Sequence, residues 1–468
     1  MKNFSYSLPV TEESRSLATG WLVLSIGSLV IAGLFSILVV LSRTPFIQDF
    51  FPLIDLFHTA LVLHVDFSII IFFFSFAGVF FSLTWQGGGL SYAILGRLAL
   101  GLSAAGASII ALSPLMGAPK PLMNNYLPVL ENYGFFAGLV IFLSGFSLMS
   151  FSTLMKKPRS KPVESVNAEQ FGIYLAAAIA LTAIASFVWS ALSVPDSLKG
   201  TDRYELLFWG GGHLLQFMYA ILMLVSWLCL GNAIGAVSLS HGKAALLFGL
   251  YILPVFGTPV IHLLFPIDSY NYYRAFTLFM EYGMGLPPVL IGIPILLGII
   301  NGKTLPDMRH LRAVVIISLI LFAAGGVLGF LIHGINLQTP SHFHGVIEDI
   351  NLKIPAHYHG VTGAVSLSFM GFTYYLLPKL GFGRLLSIVR FQPYIYGAGQ
   401  LLYIIGLASA GFLNVQRKVA GSAQGLDTLG KTISMGIMGI GGMISIIGGV
   451  AFLVVVIYAM TSGKTSKG

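Results

Sequence analysis

Hydrophobic residues along this chain come in long unbroken runs, not in alternation or in short bursts. Twelve such stretches lie at 17–42, 57–85, 91–116, 132–155, 171–193, 206–237, 244–265, 275–300, 311–336, 356–380, 391–415 and 433–462. Each is close to or above the roughly 20 residues an α-helix needs to cross the hydrocarbon core of a bilayer. Continuous apolar character excludes barrel strands, in which lipid-facing and lumen-facing residues alternate. The first stretch is too long for the apolar region of a cleavable signal peptide and lacks a small-residue cleavage site. No soluble domain and no long low-complexity linker interrupts the series. The pattern predicts one integral membrane domain over 1–468, an all-α bundle of twelve transmembrane helices.

Composition agrees and removes other classes. Of 468 residues, 56% are hydrophobic and 9% are charged, against roughly 25% charged in soluble domains, so a water-soluble enzyme is excluded. The net charge of +8 would suit nucleic acid in a soluble protein. Here the basic residues fall in the connections and report orientation instead. With the N-terminus inside, sixteen of the 25 Lys and Arg residues fall on the inner side, which places both termini in the cytoplasm. The single cysteine, Cys229, excludes disulfide frameworks, thiolate zinc sites and covalent haem attachment through a C-x-x-C-H motif.

Orientation gives every histidine a depth. His58 and His64 lie at and just inside the outer end of the second span, and His213 about two turns into the sixth. His262 closes the seventh span on the outer side, His357 and His359 open the tenth, and His333, His342 and His344 lie at or beyond the outer end of the ninth. Nine of eleven histidines therefore share the outer part of the membrane, with His241 and His310 in inner loops. Polar groups in a bilayer are costly and tend to face a site, and neutral imidazole is the commonest metal ligand. Residues two apart on a helix point about 200° apart, so one helix could ligate two different metal centres through His357 and His359, one on each flank.

Ala356-His357-Tyr358-His359-Gly360, read with the other outer histidines, resembles the catalytic subunit of the haem-copper oxidase superfamily, which holds terminal oxidases and nitric oxide reductases. The resemblance covers nearly the whole chain and implies the twelve-helix bundle of that subunit. It implies two haems and one non-haem metal, iron or copper. By this match His357 ligates the iron of a high-spin haem, and His359 and His64 (in Leu-His-Val-Asp-Phe-Ser) ligate that of a low-spin haem. His213, in Gly-Gly-Gly-His-Leu-Leu, and His262, in Thr-Pro-Val-Ile-His-Leu, match ligands of the non-haem metal. Arg417 and Lys418, at the end of Ala-Gly-Phe-Leu-Asn-Val-Gln-Arg-Lys, match the basic pair that binds haem propionates. A solvated loop is the other reading of that pair.

The chain departs from the family at three places. Leu263 follows His262 where the family has a second histidine, and Phe217 and Phe256 stand where the oxidases carry a crosslinked tyrosine. Glu281, in Phe-Met-Glu-Tyr-Gly-Met-Gly-Leu-Pro-Pro, resembles instead the glutamate of the nitric oxide reductase branch. It can replace a lost imidazole as an oxygen ligand, which suits iron better than copper, or stand as an interfacial acid at a helix end. Asp66 is a second costly acid within the membrane. Pro340-Ser-His-Phe-His-Gly-Val-Ile recurs fifteen residues later as Pro355-Ala-His-Tyr-His-Gly-Val-Thr, and only the second copy leads into an uninterrupted apolar run. The first copy, with His342 and His344, is then a bystander loop or a source of replacement ligands.

The resemblance implies a respiratory reductase of a diatomic gas in a bacterial or archaeal cytoplasmic membrane. Electrons pass from the low-spin to the high-spin haem, and the gas binds between that iron and a metal on His213, His262 and Glu281. Nitric oxide reduction fits the absent tyrosines, and dioxygen reduction fits the wider family. A third reading is a paralogue that holds haem, has lost the non-haem metal and transfers electrons without reducing gas. Because the chain holds no covalent haem or thiolate copper site, a cytochrome c subunit, a cupredoxin-like subunit or quinol must supply the electrons.

Overall fold

The computed structural model describes residues 5–50, 56–85, 89–117, 119–155, 167–302, 308–336 and 351–462, without the side chains of 89–92 and 333–336. His342 and His344 lie outside the described residues. In chain order the described helices are α1 (Glu12–Leu41), α2 (Phe57–Val65), α3 (Phe72–Leu83), α4 (Gly89–Leu112) and α5 (Tyr133–Met155). There follow α6 (Ala168–Ser193), α7 (Gly200–Ala233), α8 (His241–Gly249), α9 (Ile252–Leu264) and α10 (Tyr270–Gly283). The series ends with α11 (Leu286–Asn301), α12 (Arg309–Asn336), α13 (Lys353–Leu376), α14 (Gln392–Phe412) and α15 (Leu429–Thr461). A short antiparallel hairpin, β1 (Lys120–Leu122) and β2 (Val129–Glu131), pairs Lys120 with Glu131 and Leu122 with Val129.

Eleven helical spans among the described residues are long and apolar enough to cross a membrane. The stretch expected at 356–380 forms α13, 24 residues long, and is not one of the eleven. Its histidines, serines, threonines and tyrosines reduce its apolar character, so hydropathy alone does not establish a twelfth crossing.

Local chemistry explains where the helices begin and break. The side chains of Asn167, Ser240, Ser269 and Thr428 accept hydrogen bonds from the first turns of α6, α8, α10 and α15, satisfying donors with no partner inside the helix. The apolar run at 275–300 divides into α10 and α11, because a proline pair, Pro287-Pro288, opens α11. Proline suits the first turn of a helix, where its missing N–H costs nothing. The second span is continuous from Phe57 to Leu83 but widens into a π-helical segment at Asp66–Ile71. Such π segments often mark functional sites, and this one begins two residues after His64.

The chain divides into two compact units, one of residues 1–29 and 65–304, the other of 30–64 and 305–468. Unit one is built on α7, which is buried over nearly its whole length, as expected of a helix that is apolar all round. In the same unit α4 and α5 approach so closely that a Cβ at Gly106 would lie 2.4 Å from the Phe142 nitrogen. Unit two holds the C-terminal part of α1, α2 and α12–α15. Its tightest pair is α14 with α15, where Gly399 and Gly406 admit the backbones of Ser445 and Met438. Small residues at such contacts let membrane helices gain packing that apolar burial alone does not supply in lipid.

Candidate functional site

The three candidate haem ligands, His64, His357 and His359, all belong to unit two. His64 Nδ1 lies 3.0 Å from the carbonyl oxygen of Ala32 on α1, and His357 Nδ1 lies 2.7 Å from that of Gly325 on α12. A carbonyl only accepts, so both Nδ1 atoms donate, and the neutral rings carry their lone pairs on Nε2. That is the tautomer an iron ligand needs, with the far nitrogen anchored by a backbone acceptor. His357 faces α12 and His359 faces α14, where its ring meets Tyr403 edge-on with centroids 4.6 Å apart. The spacing of two residues thus turns the imidazoles to opposite flanks of α13. His64 and Arg43 are both electrostatic neighbours of His359.

Helix α12 is shaped around His357. A Cβ on Gly329 would lie 2.8 Å from the His357 Nδ1, and one on Gly325 would lie 2.6 Å from the Val361 nitrogen. Gly325 and Gly329 are one turn apart, so one face of α12 supplies both the carbonyl for the ring and the room for it. Gly326, between them, faces open space.

Cations gather beside the start of α13 in unit two. Arg43 and Arg417 are 6% and 9% exposed, and among the described residues neither is in an ion pair. Arg43 donates to the Gln424 side chain at 3.3 Å and to the Gln416 carbonyl at 3.2 Å. Leu352 N donates to Val415 O at 3.2 Å, tying this segment to the start of α13. Lys418 adopts a left-handed backbone with φ of 62°, and its carbonyl receives His58 Nε2 at 3.0 Å. Buried guanidinium groups without a carboxylate partner are costly, and they suit the anionic edge of a haem. Sequence reasoning missed Arg43, whose burial depends on residues some 370 positions away.

His213, His262 and Glu281 lie in unit one. His213 Nδ1 donates to the Trp209 carbonyl at 2.8 Å, so its Nε2 accepts from the Tyr126 hydroxyl at 3.0 Å. His262 Nε2 is 2.8 Å from the Ser186 hydroxyl. Both rings border Phe276, at centroid distances of 6.0 and 5.9 Å. Glu281 Oε2 lies 3.8 Å from the guanidinium of Arg274 on the same helix. Among the described residues no three His, Cys, Asp or Glu side chains group to hold a metal ion. As arranged, these residues do not fit a non-haem metal: two imidazole nitrogens serve hydroxyls and the carboxylate serves an arginine.

The Gly210-Gly211-Gly212 triplet explains how Tyr126 reaches His213. A Cβ at Gly210 would meet the Tyr272 hydroxyl at 2.6 Å, one at Gly211 the Phe187 ring at 2.4 Å, and one at Gly212 the Tyr126 ring at 2.3 Å. Three aromatic residues thus close on one turn of α7 just before the histidine. Tyr126 went unnoticed in the sequence, where it lies in a connection between spans; the glycine triplet was the available signal. Of the positions lacking the oxidase tyrosine, Phe217 is buried and Phe256 is exposed. The nearby Tyr251 donates its hydroxyl to the Met284 carbonyl at 2.8 Å.

Residues 16–456 match the model of the family described as Cytochrome C and Quinol oxidase polypeptide I. An uncharacterized protein of Rickettsia prowazekii (strain Madrid E) is 30% identical, with 94% of this chain and 95% of that protein covered. Another, from Aquifex aeolicus (strain VF5), is 27% identical over 80% and 88% of the respective chains. Among solved structures, a haem-copper terminal oxidase dimer determined by cryo-electron microscopy shares the fold with a TM-score of 0.76 and 16% identity. That match covers 98% of this chain and 86% of the other. With the family model spanning nearly all of it, this chain belongs to the haem-copper oxidase subunit I family, as a divergent member.

Proposed function

We propose that this chain is a respiratory membrane oxidoreductase that reduces a diatomic gas at haem, with nitric oxide as the leading substrate and dioxygen as the alternative. The observation that carries the reading is the disposition of His64, His357 and His359 in unit two. Two of them anchor Nδ1 on helix carbonyls, and two diverge from a single helix. Haem held by these residues would supply one-electron transfer and gas binding. His64 and His359 would hold the low-spin haem and His357 the high-spin haem. Both His357 and His359 are carried on α13. Arg43, Arg417 and Lys418 would receive propionates, for which guanidinium and ammonium donors are suited.

The preference for nitric oxide rests on the side chains at 217 and 256. Neither phenylalanine can give a proton and an electron to dioxygen, and Phe256 is 71% exposed. Electrons would come from a cytochrome c subunit, a cupredoxin-like subunit or quinol. The excess of inner Lys and Arg supports cytoplasmic termini in a bacterial or archaeal cytoplasmic membrane. The test is gas consumption by the purified haem-loaded protein with an artificial reductant. Turnover of nitric oxide above that of dioxygen is expected; the reverse order would move the reading to a terminal oxidase.

A second reading, a haem-holding electron-transfer chain without the non-haem metal, is favoured by the hydroxyls of Tyr126 and Ser186 on His213 and His262. Two haems, no third metal and no turnover of either gas would select it.

A further inference from the structure

Residues 5–7, ahead of α1, lie across a carboxyl–imidazole pair at the starts of α6 and α8, all within unit one. Glu169, in the first turn of α6, is fully buried. Its Oε1 accepts from the Ser7 amide at 2.9 Å. Its Oε2 is buried without a hydrogen bond and lies 3.1 Å from Nδ1 of His241, the first residue of α8. His241 Nε2 lies 3.2 Å from the Ser5 carbonyl, an acceptor only, so Nε2 carries hydrogen. The Tyr6 ring meets the imidazole at a centroid distance of 4.2 Å, and its hydroxyl donates to the Leu239 carbonyl at 2.9 Å. Ala168 N also donates to His241 Nδ1, at 3.4 Å. Three successive residues thus close on the pair through a carbonyl, a ring and an amide.

With hydrogen on Nε2, the buried Oε2 needs either its own proton or a positive ring beside it. Glu169 and His241 therefore hold one proton between them while residues 5–7 cover them. Without that proton a carboxylate oxygen faces an imidazole lone pair, and a buried charge left unpaired is strongly destabilising. Lifting residues 5–7 admits water and relieves it. We propose that Ser5–Ser7 form a pH-sensitive clasp, closed while Glu169 and His241 share one proton and released when they lose it. The segment itself contributes Tyr6, and Cys229 on α7 is an electrostatic neighbour of that phenol. Burial, then the Glu169 carboxyl, raises Tyr6 above the ordinary phenol value, so its hydroxyl keeps its hydrogen. Lys243, two residues beyond His241, is exposed. Among the described residues neither Glu169 nor His241 pairs with a Lys or Arg. Because the closed clasp binds one proton more than the open one, closure strengthens as pH falls. It weakens by up to about tenfold per pH unit as pH rises.

The experiment is hydrogen–deuterium exchange of the purified full-length protein from neutral to alkaline pH. It is read at the peptide that contains Ser7 and expressed relative to the intrinsic exchange rate at each pH. Protection is expected to fall with rising pH in the wild type. Glu169→Gln supplies a carboxamide that donates to His241 Nδ1 and accepts from the Ser7 amide with no titrating proton. Its protection should stay level over the same range. Tyr6→Phe removes the bond to Leu239 and should lower protection at every pH while keeping the wild-type slope. A wild type whose protection is independent of pH would overturn the clasp, and so would a Glu169→Gln profile that falls as steeply as the wild type's. The wild-type profile needs no substituted chain, so it decides even where the glutamine variant does not assemble.

Discussion

Helix α12 offers a sharp test of how His357 is held. Gly325→Ala, Gly326→Ala and Gly329→Ala are chemically identical changes on one helix, two on the face toward α13 and one, Gly326, turned away from it. An added Cβ at Gly325 would lie 2.6 Å from the Val361 nitrogen and 2.8 Å from the Gly360 carbonyl carbon, so α12 and α13 must separate by up to about 1 Å to regain ordinary contact. That movement pulls the Gly325 carbonyl from the His357 Nδ1, now 2.7 Å away. Overpacking costs about 1–3 kcal/mol, and losing one neutral hydrogen bond adds about 0.5–1.5 kcal/mol. Gly329→Ala acts on the ring itself, with Cβ 2.8 Å from both Cε1 and Nδ1. The displacement exceeds the roughly 0.5 Å within which a functional group must be held. Gly326 meets nothing within 4 Å, and alanine there is neutral or stabilising by up to about 1 kcal/mol from helix propensity. The assay is haem content and absorption spectrum of each purified variant. Gly325→Ala and Gly329→Ala should lose the high-spin haem while keeping the low-spin one, with Gly326→Ala matching the wild type. Equal haem content in all three would refute the proposed seating of His357.

Three further outcomes are expected. Tyr126→Phe leaves the Nε2 lone pair of buried His213 without its donor, which should destabilise the protein by about 1–3 kcal/mol in thermal unfolding; Gly212→Ala should do at least as much, because its Cβ would lie 2.3 Å from the Tyr126 ring. Glu281→Ala removes the carboxylate 3.8 Å from Arg274 and should leave haem content and absorption spectrum unchanged; loss of a haem band in that variant would count against placing Glu281 with the arginine. Asp427, outside the membrane spans, has its carboxyl held below the ordinary value by the Lys431 ammonium 2.8 Å away. A depressed folded-state value contributes stability above the ordinary carboxylate range and loses it as pH falls through the depressed value. Asp427→Asn and wild type should therefore converge in thermal midpoint at acid pH, with wild type slightly higher at neutral pH and the difference erased by salt.

Much of the helical framework was legible because long apolar runs leave the backbone little choice in lipid. The breaks at Met284-Gly285 and at the π segment beginning with Asp66 were not, since neither interrupts the hydropathy. Span 356–380 shows the opposite effect. The residues that make α13 chemically interesting also make it the least apolar of the expected crossings. The opposite facing of His357 and His359 could be read from helical period alone. What the period does not contain is the neighbouring helix: the Gly325 carbonyl, the gap at Gly329 and the Tyr403 ring are contacts across the fold. Likewise Arg43 reads as an outer-loop charge until Gln416 and Gln424 close over it. Tyr126 is a connection residue until the glycine triplet on α7 admits its ring. The candidate metal ligands on α7, α9 and α10 were recognisable by type and depth, but their hydroxyl and guanidinium partners were not.

The most direct test is the number of haems and metal ions per chain in the purified full-length protein, taken with its absorption spectrum and those of His64→Ala and His359→Ala. Two haems per chain are predicted, one of them with a low-spin spectrum that both substitutions remove. A chain that binds no haem, or one whose low-spin signal survives both substitutions, would contradict the assignment of His64, His357 and His359.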